Sequence, residues 1–393
     1  MLEQILDPEN WRIQSIEDQL KRAEKNRLEE KGPRPKMWFN TAQMISPLTF
    51  YKYLKARFGP PNGFVMFLKN RSSDNLIHWQ YSLTASDSFI DIWGKTSGIE
   101  ISIKADSISE ITENDWQTLI ENIQADYKKY GNDMAEVQSN FEHWSLFINP
   151  FNRIERVVKD YVYQLEKLNL KEPGSYIIGS QESYDNYMKD LKRWIKNITK
   201  AASLGTTIRM LCPVIAEAFI NLILLVFRKS EYKDDERLYE NLIRQQIDVR
   251  VKTLHLHCNC FPNQINSDSN AFKNFHTLMN RRNDFLHGNI DPKKLIVEDV
   301  WFDDRFIPLF KKDEGVIKKM LRNYCSNVEP EKAIGDFQII SDLIELVLMA
   351  MDDDSLRLFT QIMADQMPGI NKKTSRLGVL FPSEYLVENY ITA

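Results

Sequence analysis

Apolar residues recur along this chain in two rhythms, and the change of rhythm divides it. Over residues 37–106 they come in short runs and alternations at 64–68, 76–85, 89–93 and 99–103, separated by Ser, Asp and Gly. Ile99, Ile101 and Ile103 alternate with Glu100, Ser102 and Lys104, which is the period of a strand with one buried face. Asp115-Trp116 opens a helix to about Tyr130. Residues 133–170 keep a helical spacing, interrupted near Pro150, and 171–175 form a loop. From Tyr184 onward helical spacing dominates and predicts helices over 184–202, 207–229, 235–256, 270–287, 314–323 and 336–351. The last carries Phe337, Ile340, Leu343, Ile344 and Val347 on one face, as a bundle helix does.

Charge adds the ends. Residues 8–31 are dense in opposite charges three and four apart, including Glu17, Asp18, Lys21, Arg22 and Glu24, which predicts an exposed helix closed by Gly32-Pro33-Arg34-Pro35. The expected class is α+β. A charged N-terminal helix (1–32) precedes a small α+β domain (33–131), expected to sense a trigger or bind a partner. A helical connector (132–183) leads to a mostly α-helical domain (184–365). A tail (366–393) carries the apolar Val379-Leu380-Phe381, suited to docking elsewhere on the protein.

Composition narrows the class. Of 393 residues 43% are hydrophobic and 27% charged, the balance of a globular chain too long for one core. With a net charge of −4, bulk charge cannot attract phosphate, so any nucleic-acid contact needs locally gathered basic residues. Met1-Leu2-Glu3-Gln4 has no basic stretch before an apolar run, and there are four cysteines (Cys212, Cys258, Cys260 and Cys325). Both predict reduced thiols and a cytoplasmic location. Residues 211–227 are apolar enough to suggest a membrane span. Pro213, Glu217 and Asn221 lie among them, and an acid at bilayer depth is expensive, so a buried bundle helix is expected and no membrane partner.

The window with chemistry is Arg281-Arg282-Asn283-Asp284-Phe285-Leu286-His287. Metal-free RNA cleavage needs a group to move protons and a fixed cation for charge building on phosphoryl oxygens. Histidine titrates near neutrality, and the arginine fork stays charged. Asn283 and His287 are four apart and share a helix face, whereas Arg282 lies about 140° round from His287 on a regular helix. Either the helix end is irregular or a second copy completes the site. Spacing alone also reads as an ordinary helix end, with Gly288 just past it and a histidine favoured by the dipole.

Arg282-Asn283 followed by His287, late in an all-helical region, resembles the HEPN superfamily (higher eukaryotes and prokaryotes nucleotide-binding domains). The resemblance covers about residues 185–365, including the apolar helix around Glu217-Ala218-Phe219-Ile220-Asn221-Leu222. It implies a helical domain acting as a homodimeric, metal-independent endoribonuclease of the toxin or antiphage kind, with RNA as substrate and no cofactor. Arg282 and His287 would be catalytic, and Asn283 would orient them or bind phosphate. Glu217 and Asn221, one turn apart, would support the site, Glu217 through a pairing with Arg282; Asp284 would support it too. Arg281, Lys318, Lys319 and Arg322 are candidates for RNA contact, or else a solvated face. The competing expectation is a non-catalytic dimerisation module. An inhibitory or activating partner acting through the N-terminal domain is also expected.

Two other patterns carry less. His255, His257, Cys258 and Cys260 are metal-ligand types at a spacing unlike zinc sites, so no metal is expected. Gly174-Ser175 through Gly179 matches half of a nucleotidyltransferase signature, but Asp185 lacks the second carboxylate that two metals need. His276, on the motif helix between Phe275 and Leu278, is expected to be packed.

Overall fold

The computed structural model describes residues 2–28, 36–39, 44–68, 77–95, 98–105, 108, 110–174, 180–286, 299–310 and 316–381. They form two compact units that meet in sequence between His143 and Trp144. The first mixes helices with an antiparallel sheet, and the second is mainly helical.

In the first unit, strands β1 (Arg12–Ile13), β2 (Lys36–Phe39), β3 (Ile77–Ala85), β4 (Ser88–Lys95) and β5 (Gly98–Lys104) make one sheet in the order β1-β3-β4-β5-β2. A two-residue turn joins β3 to β4, and Ser86 takes the positive φ of 52° that such tight turns use. Register aligns Tyr81 with Ile92 and Ile101, and Leu83 with Ile90 and Ile103, building one apolar face. Phe50, Tyr53 and Leu54 of the helix Pro47–Phe58, with Trp116, Leu119, Ile120 and Ile123 of the helix Glu113–Asp126, bury that face. The N-terminal region is not one long helix: Leu2–Leu6 and Ile16–Leu28 are separate helices with β1 between them.

The other face of the sheet overturns the expectation of a single buried side. Glu100 is 3% exposed and Ser102 6%. Gln19 and Arg22 of the helix Ile16–Leu28 turn onto this face. Arg22 pairs with Asp91 at 2.6 Å, Ser82 donates to Asp91 at 2.6 Å, and Asn62 bonds the Ser82 backbone in both directions. Lys95 neutralises Glu100. The buried carboxylates of Asp91 and Glu100 are tolerated here because each has a cationic partner.

The second unit is built round one helix, α8 (Gln181–Phe227), reached through the helix α7 (Pro150–Glu166), where a break after residue 202 was expected. At about 1.5 Å per residue it runs roughly 70 Å. The polar and glycine positions that suggested the break keep helical form: Ser203 and Thr207 bond back to the carbonyls of Thr199 and Ser203. Gly205 marks a crossing. A Cβ there would meet Pro330 at 2.8 Å, where the helix Pro330–Leu348 begins. Beside it Arg209 bonds Asp336 at 2.8 Å and the Val328 carbonyl at 2.8 Å.

Around α8 pack α7, the helices Ile247–His257, Asn270–Leu286, Val316–Val328 and Pro330–Leu348, and the helix Asp353–Ala364. The expected helix over 235–256 is two, Glu236–Ile243 and Ile247–His257. By length and composition α8 could cross a membrane. Its Ile215, Phe219, Ile220, Ile223 and Leu224 are buried among the neighbouring helices. A small sheet closes the unit: Trp144–Leu146 pairs with Gly369–Asn371, which pairs with Leu377–Gly378. The start of the tail thus docks by strand pairing.

Candidate functional site

The motif helix Asn270–Leu286 starts where Ser269 Oγ accepts from the Phe272 amide, an N-terminal cap. Phe272, Phe275 and Leu278 recur at helical spacing and are buried, with Met279 half-buried. They hold the helix against α8 and the helix Pro330–Leu348. His276 is exposed, beside Asn280 at 3.4 Å, which corrects the packed position expected for it. It lies about 100° round the helix from Phe275 and about 160° from Leu278.

The backbone stays helical through Leu286, so Arg281, Arg282, Asn283 and Asp284 all lie in the last two turns. Their side chains, and His287 itself, lie outside the described residues.

Glu217 and Asn221, one turn apart on α8, meet a cation from the adjacent helix. Arg250 is 4% exposed and donates Nη1 to Asn221 Oδ1. Burial draws its pKa down, and the Glu217 charge opposes that shift. Its Nε has no hydrogen-bond partner among the described residues. The polar pair on α8 therefore has Arg250 as a neighbour, while the expected Glu217–Arg282 pairing involves a side chain outside the described ones. Arg250 escaped the sequence reading, although a signal was present. It shares a face with Ile247, Val251 and Leu254, all buried, so an arginine there needs an acceptor.

Of the basic residues assigned to RNA, Arg322 forks onto Glu172, with Nε at 2.9 Å from Oε2 and Nη2 at 3.1 Å from Oε1. Such a bidentate pair occupies the guanidinium. Lys319 is half-buried, and the Lys318 side chain lies outside the described residues.

The His255–Cys260 stretch is assembled as structure. Tyr232 OH lies 2.7 Å from His257 Nδ1. Cys258 and Cys260 are each 1% exposed, their thiols in contact, and that contact together with burial pushes the Cys260 thiol up. Among the described residues no group of three or more His, Cys, Asp or Glu side chains is arranged to hold a metal ion. Comparisons with family models, with curated proteins and with solved structures return no match to this chain.

Proposed function

We propose that the second unit is a HEPN-like, metal-independent endoribonuclease acting as a homodimer. The observation that carries this reading is the run Arg282-Asn283 in the final turns of a helix anchored in a mainly helical unit, with His287 next after the last described helical residue. In the reaction, the RNA 2′-oxygen attacks the adjacent phosphorus, and the bond to the 5′-oxygen breaks. His287 moves the proton between these oxygens, and Arg282 holds the phosphoryl oxygens. Asn283 orients the pair. The products are a 2′,3′-cyclic phosphate and a 5′-hydroxyl.

A second copy supplies the geometry that one helix lacks. Support for dimer contact comes from the hairpin Val300–Phe302 and Pro308–Phe310, shortly after the motif in sequence. It exposes Trp301 (45%), Phe302 (59%), Phe306 (83%) and Leu309 (52%). A two-stranded hairpin exposing so much apolar surface gains by being covered.

The test is total RNA incubated with purified protein in EDTA. Cleavage is expected to persist, to leave cyclic phosphate ends, and to fall by about a hundred-fold to ten-thousand-fold in His287→Ala. Arg282→Ala should fall by about a hundred-fold to a thousand-fold. RNA binding without cutting would favour a non-catalytic dimerisation module instead. Cutting that both variants retain would remove the assignment of these residues.

A further inference from the structure

We propose that the second unit also carries a pocket for a nucleoside phosphate, where the start of α7 meets the turn after the helix Asp353–Ala364. A cavity of about 350 Å³ opens there, and its lining includes Ile148, Asn152, Arg153, Arg156, Gln366 and Met367. The site is independent of the ribonuclease reading and uses none of its residues.

Arg153 and Arg156 are one turn apart on α7 and reach the same cavity. Neither guanidinium has a hydrogen bond or ion pair among the described residues. The nearby acids of α7 are already engaged, Glu155 with Lys159 at 2.9 Å and Asp160 with Gln164 at 2.8 Å. Two unpaired planar forks bordering one cavity suit an oxyanion with several oxygens, which a phosphate provides.

Asn152 contributes a different demand. It is 9% exposed, its Nδ2 donates to the Ala364 carbonyl at 2.9 Å, and its buried Oδ1 has no donor among the described residues. A buried acceptor without a donor is costly, and a hydroxyl brought through the cavity would satisfy it. Ile148 (61% exposed) and Met367 (41%) add apolar walls, and Gln366 adds an amide able to read a heteroatom edge. An oxyanion, a hydroxyl and a flat body with apolar faces together describe a nucleoside phosphate. The volume lies near the lower end of the range for ligand pockets, about 300–1,000 Å³, which suits one nucleotide unit. That unit is either a free mononucleotide or the end of an RNA strand.

The experiment is calorimetric titration of the full-length protein with AMP, GMP, inorganic phosphate and a short 5′-phosphorylated oligouridine. At least one mononucleotide or the oligonucleotide should bind saturably, with a Kd below about 1 mM. Arg153→Gln and Arg156→Gln should each weaken it about ten-fold, with an unchanged thermal midpoint. Met367→Ala should weaken the nucleotide and leave inorganic phosphate unaffected. Tighter binding of AMP or GMP assigns the pocket to free nucleotide, and tighter binding of the oligonucleotide assigns it to RNA ends. Absence of saturable binding by every probe would overturn the proposal, as would binding indifferent to both arginine variants. Inorganic phosphate binding as tightly as any nucleotide would overturn the nucleoside assignment.

Discussion

His257 shows how one side chain couples the bundle to pH. Burial, then Lys229, then His255 hold its pKa below the ordinary histidine value of 6.5. Its Nδ1 faces the Tyr232 hydroxyl at 2.7 Å, an arrangement that suits the neutral ring accepting from tyrosine. The folded pKa is the depressed one, so the stability this residue contributes is present above the unfolded value. It is lost as pH falls from about 6.5 through the folded pKa. Urea unfolding between pH 7.5 and 5 is expected to show a fall in stability that His257→Gln reduces. The change is bounded at about 1.4 kcal/mol per pH unit, because one proton is involved. An identical pH profile in the variant would exclude His257 as the source. At this scale the sequence was legible where a residue's environment is local, and opaque where its partner is remote. His276 could not be placed because Phe275 and Leu278 mark the buried face without fixing its width. Arg250 lay in an apolar pattern, but its acceptor, Asn221, is 29 residues away.

Between elements the clearest joint is Asn149. Its Oδ1 accepts from the amides of Phe151 and Asn152, capping the N-terminus of α7. Its Nδ2 donates to the carbonyls of Ile362, Met363 and Asp365, at 3.1, 3.2 and 2.9 Å, closing the C-terminus of the helix Asp353–Ala364. One fully buried amide thus serves two helix ends. Asn149→Ala is expected to cost about 2–4 kcal/mol, a lost cap together with unpaired buried carbonyls. Asn149→Asp keeps the acceptor and turns a carboxylate onto those carbonyls, so it should be no milder. Chemical denaturation would measure both, and a loss below about 0.5 kcal/mol in each would show that the joint contributes little. No local pattern announces this role, because the partners lie more than 200 residues on. The strands and the motif helix, by contrast, were readable from Ile99-Ile101-Ile103 and from Phe272-Phe275-Leu278. The continuity of α8 was not, since Ser203 and Gly205 carry the composition of a break. In fact Gly205 is small because Pro330 passes against it.

At the scale of the whole molecule, the two units have separate apolar cores. The proposed dimer is tested at the exposed hairpin. The double variant Phe302→Glu, Phe306→Glu is expected to raise the dimer dissociation constant by about 30-fold to 1,000-fold in analytical ultracentrifugation, the range expected for large aromatic anchors. It should lower RNA cleavage in parallel at dilute protein and restore it at high concentration. A wild type that sediments as a monomer at every concentration would dismiss the hairpin as a self-association surface. The division into a strand-bearing region followed by helices was evident from the change of apolar period near Asp115. The buried second face of the sheet was not, because Glu100 and Ser102 read as solvated until Arg22 and Lys95 are seen beside that face.

The pairing of Trp144 with Asn371 has a temporal consequence. A ribosome emits the first strand of the second unit long before the strands it needs, Gly369–Asn371 and Leu377–Gly378, exist. The long helix can form during translation, yet the edge of the bundle stays unsealed until synthesis passes residue 378. The small sheet of the newborn second unit therefore closes late, and a transcript truncated before that point yields a chain with its first strand still waiting.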